Sequence, residues 1–267
     1  MRSITSRQNP IVRAFRALAD DPDPSGERVL LDGAHLVSEG QAAGTSFELL
    51  VVAASRLNAG SEEAELAREL DAAGVDVVVT DDKVFAALSP VKTPSGIAAI
   101  VRRTVSTAAM ICGHPEALIV AAVDVQDPGN VGALIRSAEA GGATGAFVAG
   151  VSASPFSWKA LRGSMGSALR LPIVGGMPSD AVMNCMRKSG VRTIAAVTRG
   201  GEEPDAVDWR GGVGLFLGGE GPGLSDEIVT ACHTQVTIPM AAGVESLNVA
   251  VAGAVLIYAA RRQRIQS

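Results

Sequence analysis

The sequence predicts an α/β protein built from two units, and three observations predict it. Short apolar runs alternate with segments whose apolar residues recur at spacings of three and four. Clusters of Gly, Pro, Ser, Asn and Asp separate them, as turns do. Hydrophobic residues make up 47% of the 267 residues and charged ones only 19%, which suits a sizeable core and argues against disorder.

The elements follow in order. Pro10–Ala19 predicts a helix, closed by Asp-Asp-Pro-Asp-Pro-Ser-Gly. A strand at Arg28–Leu31 and a helix at Ala34–Ala43 come next. Phe47–Ala53 predicts a strand, Glu62–Ala73 a helix and Val75–Val79 a strand. A short helix at Asp81–Leu88 and a strand at Gly96–Val101 complete a first unit, residues 1–103. Residues 104–116, small and polar before Gly-His-Pro, predict a linker. The second unit, 117–267, is more regular. Its strands are predicted at Ala117–Val123, Ala146–Ala149, Leu171–Ile173, Arg192–Val197, Gly214–Leu217 and Gln235–Ile238. Helices are predicted between and after them at Val131–Gly141, Ser157–Ala168, Ser179–Lys188, Ser225–Cys232 and Ser246–Arg262. Such alternation predicts a largely parallel sheet covered on both faces.

Composition excludes several classes. The start at Met1 lacks the basic-then-apolar pattern of a signal peptide. The longest apolar stretch, Val249–Ala260, falls short of the roughly 20 residues that cross a bilayer, so a cytoplasmic protein with no membrane partner is expected. Cys112, Cys185 and Cys232 lack metal-ligand spacing, which predicts packing residues or free thiols and no metal. The net charge of −5 weighs against nucleic acid, but Arg2, Arg7, Arg13 and Arg16 precede the first acidic residue. Only four of the 23 basic residues are lysines, and arginine is the better partner for phosphates and stacked bases. A preference for arginine codons would give the same bias, so charge alone decides nothing.

Three segments carry chemistry: Asp124-Val-Gln-Asp-Pro-Gly-Asn130-Val-Gly-Ala-Leu-Ile-Arg136, Leu217-Gly-Gly-Glu-Gly-Pro-Gly-Leu224 and Ile238-Pro-Met-Ala-Ala-Gly-Val-Glu-Ser-Leu-Asn248-Val. Each begins at the end of an apolar run, turns on Gly or Pro and enters a helix-like pattern. That is how α/β proteins build one site from several loops at the carboxyl ends of strands. Asn130 is expected near a helix N-cap, with Arg136 six residues on; Ser246 is expected to cap the last helix. The glycines around Glu220 permit close approach of backbone to a ligand. A dinucleotide fingerprint fails because Leu224 stands where its last glycine belongs, and no P-loop pattern occurs.

In this order the segments resemble motifs 1, 2 and 3 of the SpoU (TrmH-like) 2′-O-ribose RNA methyltransferases of the SPOUT superfamily. Ile4-Thr-Ser-Arg-Gln-Asn-Pro10, Leu31-Asp-Gly-Ala-His-Leu-Val37 and Ser95-Gly-Ile-Ala-Ala-Ile100 resemble the family's L30e/L7Ae-like substrate-binding domain. The resemblance covers nearly the whole chain and implies a trefoil-knotted catalytic domain, S-adenosyl-L-methionine as cofactor and a homodimer with the site near its interface. It implies a structured RNA substrate, 23S rRNA ahead of tRNA. Asn130, Arg136, Glu220, Ser246 and Asn248 fall on catalytic positions; Gly218, Gly219, Ile238, Met240 and Leu247 fall on cofactor positions. Arg7, Arg13, Arg162 and Ser164 are candidate RNA contacts. Asp32 stands where the family often has Glu, and Ala250 where it usually has Ser, which removes one hydroxyl from that wall. A guanidinium is a poor base, so Arg136 is expected to orient the ribose hydroxyl and steady its alkoxide, with a base role open only at a strongly lowered pKa. The rival from another class is a non-catalytic RNA-binding protein. It would be expected to have lost Asn130, Arg136 or Glu220, and all three are present.

Overall fold

The computed structural model describes residues 1–266. The first unit runs β1 (Arg2–Ile4), α1 (Pro10–Asp20), β2 (Arg28–Asp32), α2 (Ala34–Ala42), β3 (Ser46–Ala53), α3 (Glu62–Ala72), β4 (Asp76–Thr80), α4 (Asp82–Leu88) and β5 (Ile97–Arg102). Its sheet has the order β1-β4-β3-β5-β2, parallel through β3 and antiparallel at β5 and β2. Local chemistry explains α1: the Asn9 side chain caps Ile11 N–H at 3.0 Å, Pro10 opens the helix, and Val12, Phe15 and Leu18 turn one stripe inward. The strand β1 lies outside the predicted elements. It is three residues long, too short for a periodic signal.

The second unit runs α5 (Ala108–Cys112), β6 (Leu118–Val123), α6 (Pro128–Ala140), β7 (Gly145–Ala149), α7 (Trp158–Ser164), α8 (Ser167–Arg170), β8 (Ile173–Met177), α9 (Ser179–Lys188), β9 (Arg192–Ala196), β10 (Val213–Gly218), α10 (Asp226–Ala231), β11 (Thr234–Val236) and α11 (Val249–Ile265). All six strands pair in parallel in the order β11-β9-β10-β6-β7-β8. The chain therefore winds outward in two directions from the β6–β10 pair, and the crevice at that switch point is where such sheets bind ligands.

Three predicted features are corrected. Residues 104–116, expected as a plain linker, hold α5, whose Ile111 and Cys112 are buried against the second sheet. The single helix expected over 157–168 breaks at Met165 and Gly166, both at positive φ, into α7 and α8. The last helix begins at Val249, not Ser246.

The two sheets share one continuous apolar core. Val29 and Leu31 of β2 join Leu118 and Val120 of β6 in the same cluster. At the junction the Phe156 ring lies so close to Gly26 that any Cβ there would clash. Arg103 stacks over the Phe156 ring, 4.0 Å to the centroid. Burial pushes the Arg103 guanidinium down to about 10, against the opposing pull of Asp23. Arg170 ties the units by pairing with Glu39 of α2 and Glu139 of α6. No helix among the described residues is long and apolar enough to cross a membrane. The cysteines are free, and burial raises the Cys112 thiol to about 12 and that of Cys232 to about 11, so both stay protonated at neutral pH.

Candidate active site and cofactor cleft

Gly218 at the end of β10 pairs with Val123 at the end of β6, which sets the first two motif loops side by side. Asp127, not Asn130, caps α6, accepting from Asn130 N–H at 2.9 Å; Pro128 fills the first helical position. Asn130 therefore sits inside the first turn with its side chain free to reach across. Its amide donates to Glu220 Oε1, and its Oδ1 accepts from Asn248 Nδ2 at 3.0 Å. Asn248 in turn caps α11, accepting from Ala250 N–H at 2.9 Å. One hydrogen-bonded chain thus joins one residue from each motif. Ser246 is displaced from the capping role expected of it and stands exposed at the mouth of a cleft.

That cleft has a volume of about 420 Å³. Leu217, Val236, Ile238 and Leu247 give it apolar walls, while Thr198, Glu220, Glu245 and Ser246 supply polar groups. Gly218, Gly219, Met240 and Asn248 also line it, so every cofactor position expected from the sequence faces one cavity. The glycines are required. A Cβ on Gly218 would collide with the backbone of Gly223 and Leu224, and one on Gly219 would collide with the Asp124 carbonyl. Asp124 holds this approach in a left-handed conformation at φ 57, with its carboxylate accepting from Val151 N–H at 2.8 Å. Sequence patterns assign Asp124, Asp127, Thr198 and Glu245 no site role. Asp127 was findable, standing three residues before Asn130 and directly before Pro; Thr198 and Glu245 had no local signal.

The remaining candidates are dispersed. Arg136 is exposed, lies outside the cleft lining and has no ion pair among the described residues. Six helical residues separate it from Asn130, about 120° around the axis, so the two do not point the same way within one chain. Arg7 and Arg13 lie exposed, one before α1 and one on it. Arg162 is exposed on α7, where its charge favours the ionised form of Asp32. Ser164 is corrected: it is fully buried, and its hydroxyl donates to the Leu161 carbonyl at 2.9 Å, so it cannot meet RNA in this conformation.

Residues 117–258, more than half the chain, match the SpoU rRNA Methylase family, and residues 9–99 match an MRM3-like substrate binding domain. The chain is 31% identical over 264 residues to an uncharacterised tRNA/rRNA methyltransferase of Synechocystis, covering 98% of this chain and 94% of that one. It is 28% identical to the Bacillus subtilis 23S rRNA (guanosine(2553)-2′-O)-methyltransferase RlmP, over 97% of this chain and 98% of that one. The crystal structure of an AdoMet-bound rRNA methyltransferase from Sinorhizobium meliloti superposes with a TM-score of 0.84 at 28% identity, covering 97% of each chain. The glycine-walled cleft and apolar lining fit S-adenosylmethionine, the cofactor of these enzymes. Both units and their order along the chain agree with these relatives, and the chain belongs to the SpoU family of S-adenosylmethionine-dependent RNA methyltransferases.

Proposed function

We propose that this protein methylates a ribose 2′-hydroxyl of structured RNA, with 23S rRNA as the substrate. The observation that carries the reading is the chain Asn248–Asn130–Glu220, which joins the three motifs and puts Glu220 and Asn248 in the lining of the cofactor cleft. The 2′-O assignment draws support from the relative named for that reaction.

When bound in the cleft, S-adenosylmethionine supplies an electrophilic methyl carbon. The protein's own contribution is alignment and charge. Asn130 holds one oxygen of Glu220, leaving the other to accept from a ribose hydroxyl. Asn248 fixes the Asn130 amide orientation while pinning the end of the third motif loop to α11. Arg136 orients the 2′-hydroxyl or its neighbouring phosphate and steadies the developing alkoxide. Its distance around α6 from Asn130 supports a site completed by a second copy of the chain. Val251, Val255 and Tyr258 leave an exposed apolar stripe on α11, which packs beside α6, and that stripe suits a homodimer interface. Arg7, Arg13 and Arg162 contact the RNA backbone.

The test is transfer of labelled methyl to separated ribosomal RNA and tRNA, followed by nucleoside analysis. Label in 2′-O-methylated nucleosides from ribosomal RNA is expected. Label on a base would overturn the ribose assignment, and label confined to tRNA would overturn the substrate.

A further inference from the structure

Away from the cofactor cleft, a cavity of about 710 Å³ opens where the two units meet. Arg7 and Arg16 border it from α1 and the turn before it, Ser89 and Pro90 from the end of α4, and Trp158 and Lys159 from the start of α7. Asp20 is the one carboxylate on its rim against three cations. Arg7, Arg16 and Lys159 form no ion pair among the described residues. Elsewhere Arg2, Arg28, Arg102, Arg170, Arg210 and Arg262 each pair with a carboxylate. The Lys159 ammonium lies 5.4 Å from the Trp158 ring centroid. Trp158 is half-buried, packs on the first unit's core and has no hydrogen bond to its indole N–H among the described residues.

The position matters as much as the composition. The helix α7 begins at this cavity and ends against the first motif: Gly163 packs on the Gly129 carbonyl, and Gly132 on that of Ala160. Five residues of helix separate Trp158 from Gly163, about 8 Å along the axis. Trp158 and Arg162 follow at helical spacing on one side of this helix, and Arg162 is exposed. A strand held at Trp158 therefore lies a short reach from Asn130.

We infer that the cavity between α1, α4 and α7 is a second RNA subsite, which takes the single strand flanking the target nucleotide. Trp158 stacks on one base, and Lys159, Arg16 and Arg7 hold the adjoining phosphates. The inference rests on RNA being the substrate but concerns a site separate from the methyl-transfer centre. An acidic peptide would use the cations alone, so a half-buried indole set among them favours a nucleic acid, whose bases stack.

The chain carries two tryptophans, and Trp209 is fully buried with its indole donating to the Pro204 carbonyl at 2.8 Å, so fluorescence quenching on titration reports Trp158. The probe is a mixed-sequence single-stranded 12-nucleotide RNA, added to the full chain holding S-adenosylhomocysteine. Tripolyphosphate and the same RNA as a duplex serve as controls. Saturable quenching by the single strand is expected, absent with tripolyphosphate and abolished in Trp158→Phe. The double variant Arg16→Ala with Lys159→Ala changes only exposed side chains. It is expected to weaken single-strand binding about tenfold and to flatten the salt slope by about 1.4, roughly 0.7 for each phosphate no longer neutralised. Its KM for ribosomal RNA should rise in step, while S-adenosylhomocysteine affinity holds. Unquenched Trp158, equal quenching by tripolyphosphate, or unchanged affinity and slope in the double variant would each overturn the subsite. The functional reading fails separately, if the wild-type protein transfers no methyl to any RNA.

Discussion

Arg136 carries the sharpest residue-scale expectation because nothing else occupies it: it is exposed and without an ion pair on α6 among the described residues. If it steadies the alkoxide, Arg136→Ala lowers single-turnover methylation by about a hundredfold, the scale of losing one transition-state donor. Arg136→Lys rescues little, since an ammonium cannot reproduce the planar fork. Cofactor affinity by calorimetry should hold in both, and near-wild-type turnover in the alanine variant would make Arg136 an ordinary surface charge. Gly218 tests the cleft itself. Its missing Cβ leaves room for the Gly223–Leu224 backbone, so Gly218→Val pushes that turn aside and is expected to raise the cofactor Kd tenfold or more, about 1.4 kcal/mol. A folded variant with unaltered binding would place the pocket elsewhere. Asp32 gives a pH-dependent case. Burial raises its pKa, opposed by the Ser89 hydroxyl at 2.8 Å, the charge of Arg162 and a hydrogen bond from Ser95. A carboxyl with a raised folded pKa contributes most below its unfolded value near ~3.9, and that contribution is lost as pH rises toward the folded value. Asp32→Asn keeps an acceptor for Ser89 and removes the charge. Its melting temperature should exceed wild type at pH 7, with the gap closing toward pH 4; a lower value at pH 7 would refute the burial argument.

At the scale of elements, α11 does two jobs with different faces. Gly253 lets it lie against Leu134 and Leu217, whose side chains a Cβ there would strike. The opposite stripe, Val251, Val255 and Tyr258, is left to solvent within one chain. Val255→Glu together with Tyr258→Glu would put charge into the proposed dimer interface without touching the core. Sedimentation should then show a shift from dimer to monomer, with turnover falling alongside because Arg136 loses its partner site. A variant that stays dimeric, or a monomer with full turnover, would contradict the shared site. The break between α7 and α8 belongs here too. Met165 and Gly166 stand at positive φ there, and Gly166 lies so close to the Glu39 side chain of the first unit that a Cβ would strike it.

Across the whole molecule, the first unit, which matches a substrate binding domain, is the proposed substrate arm and also shares the core of the second. Removing it, in a chain that begins at Thr104, should leave S-adenosylhomocysteine binding intact but weaken affinity for ribosomal RNA with a shallower salt dependence. Because Phe156 and Trp158 pack on that unit and Arg170 pairs with Glu39, the shortened chain should also melt lower than the full one. Unchanged RNA affinity would remove the first unit from target selection.

What the sequence determined by itself is local: periodicity placed most helices and strands, and the second and third glycine-marked turns pointed to Gly218, Gly219, Glu220, Ile238, Met240, Ser246, Leu247 and Asn248, which line one cleft. These were legible because a tight turn or close backbone approach leaves a residue-type signature at the position that needs it. β1 and α5 were too short to show a period, and the interrupted helix at 157–170 reads as continuous until its neighbour in space is known. Residue type alone misplaces the caps by a few residues, at Asn130 and Ser246, since Asp, Asn and Ser all serve and only geometry chooses among them. Tertiary structure alone decided that Asn130, Glu220 and Asn248 form one hydrogen-bonded chain, that Ser164 is sealed in the core and that Trp158 and Lys159 share a cavity with Arg7 and Arg16 of the other unit. Those facts depend on parallel strand pairing that sets Gly218 beside Val123 and on two sheets sharing one core. Contacts between residues some 90 to 150 positions apart leave no periodic trace in the chain that makes them.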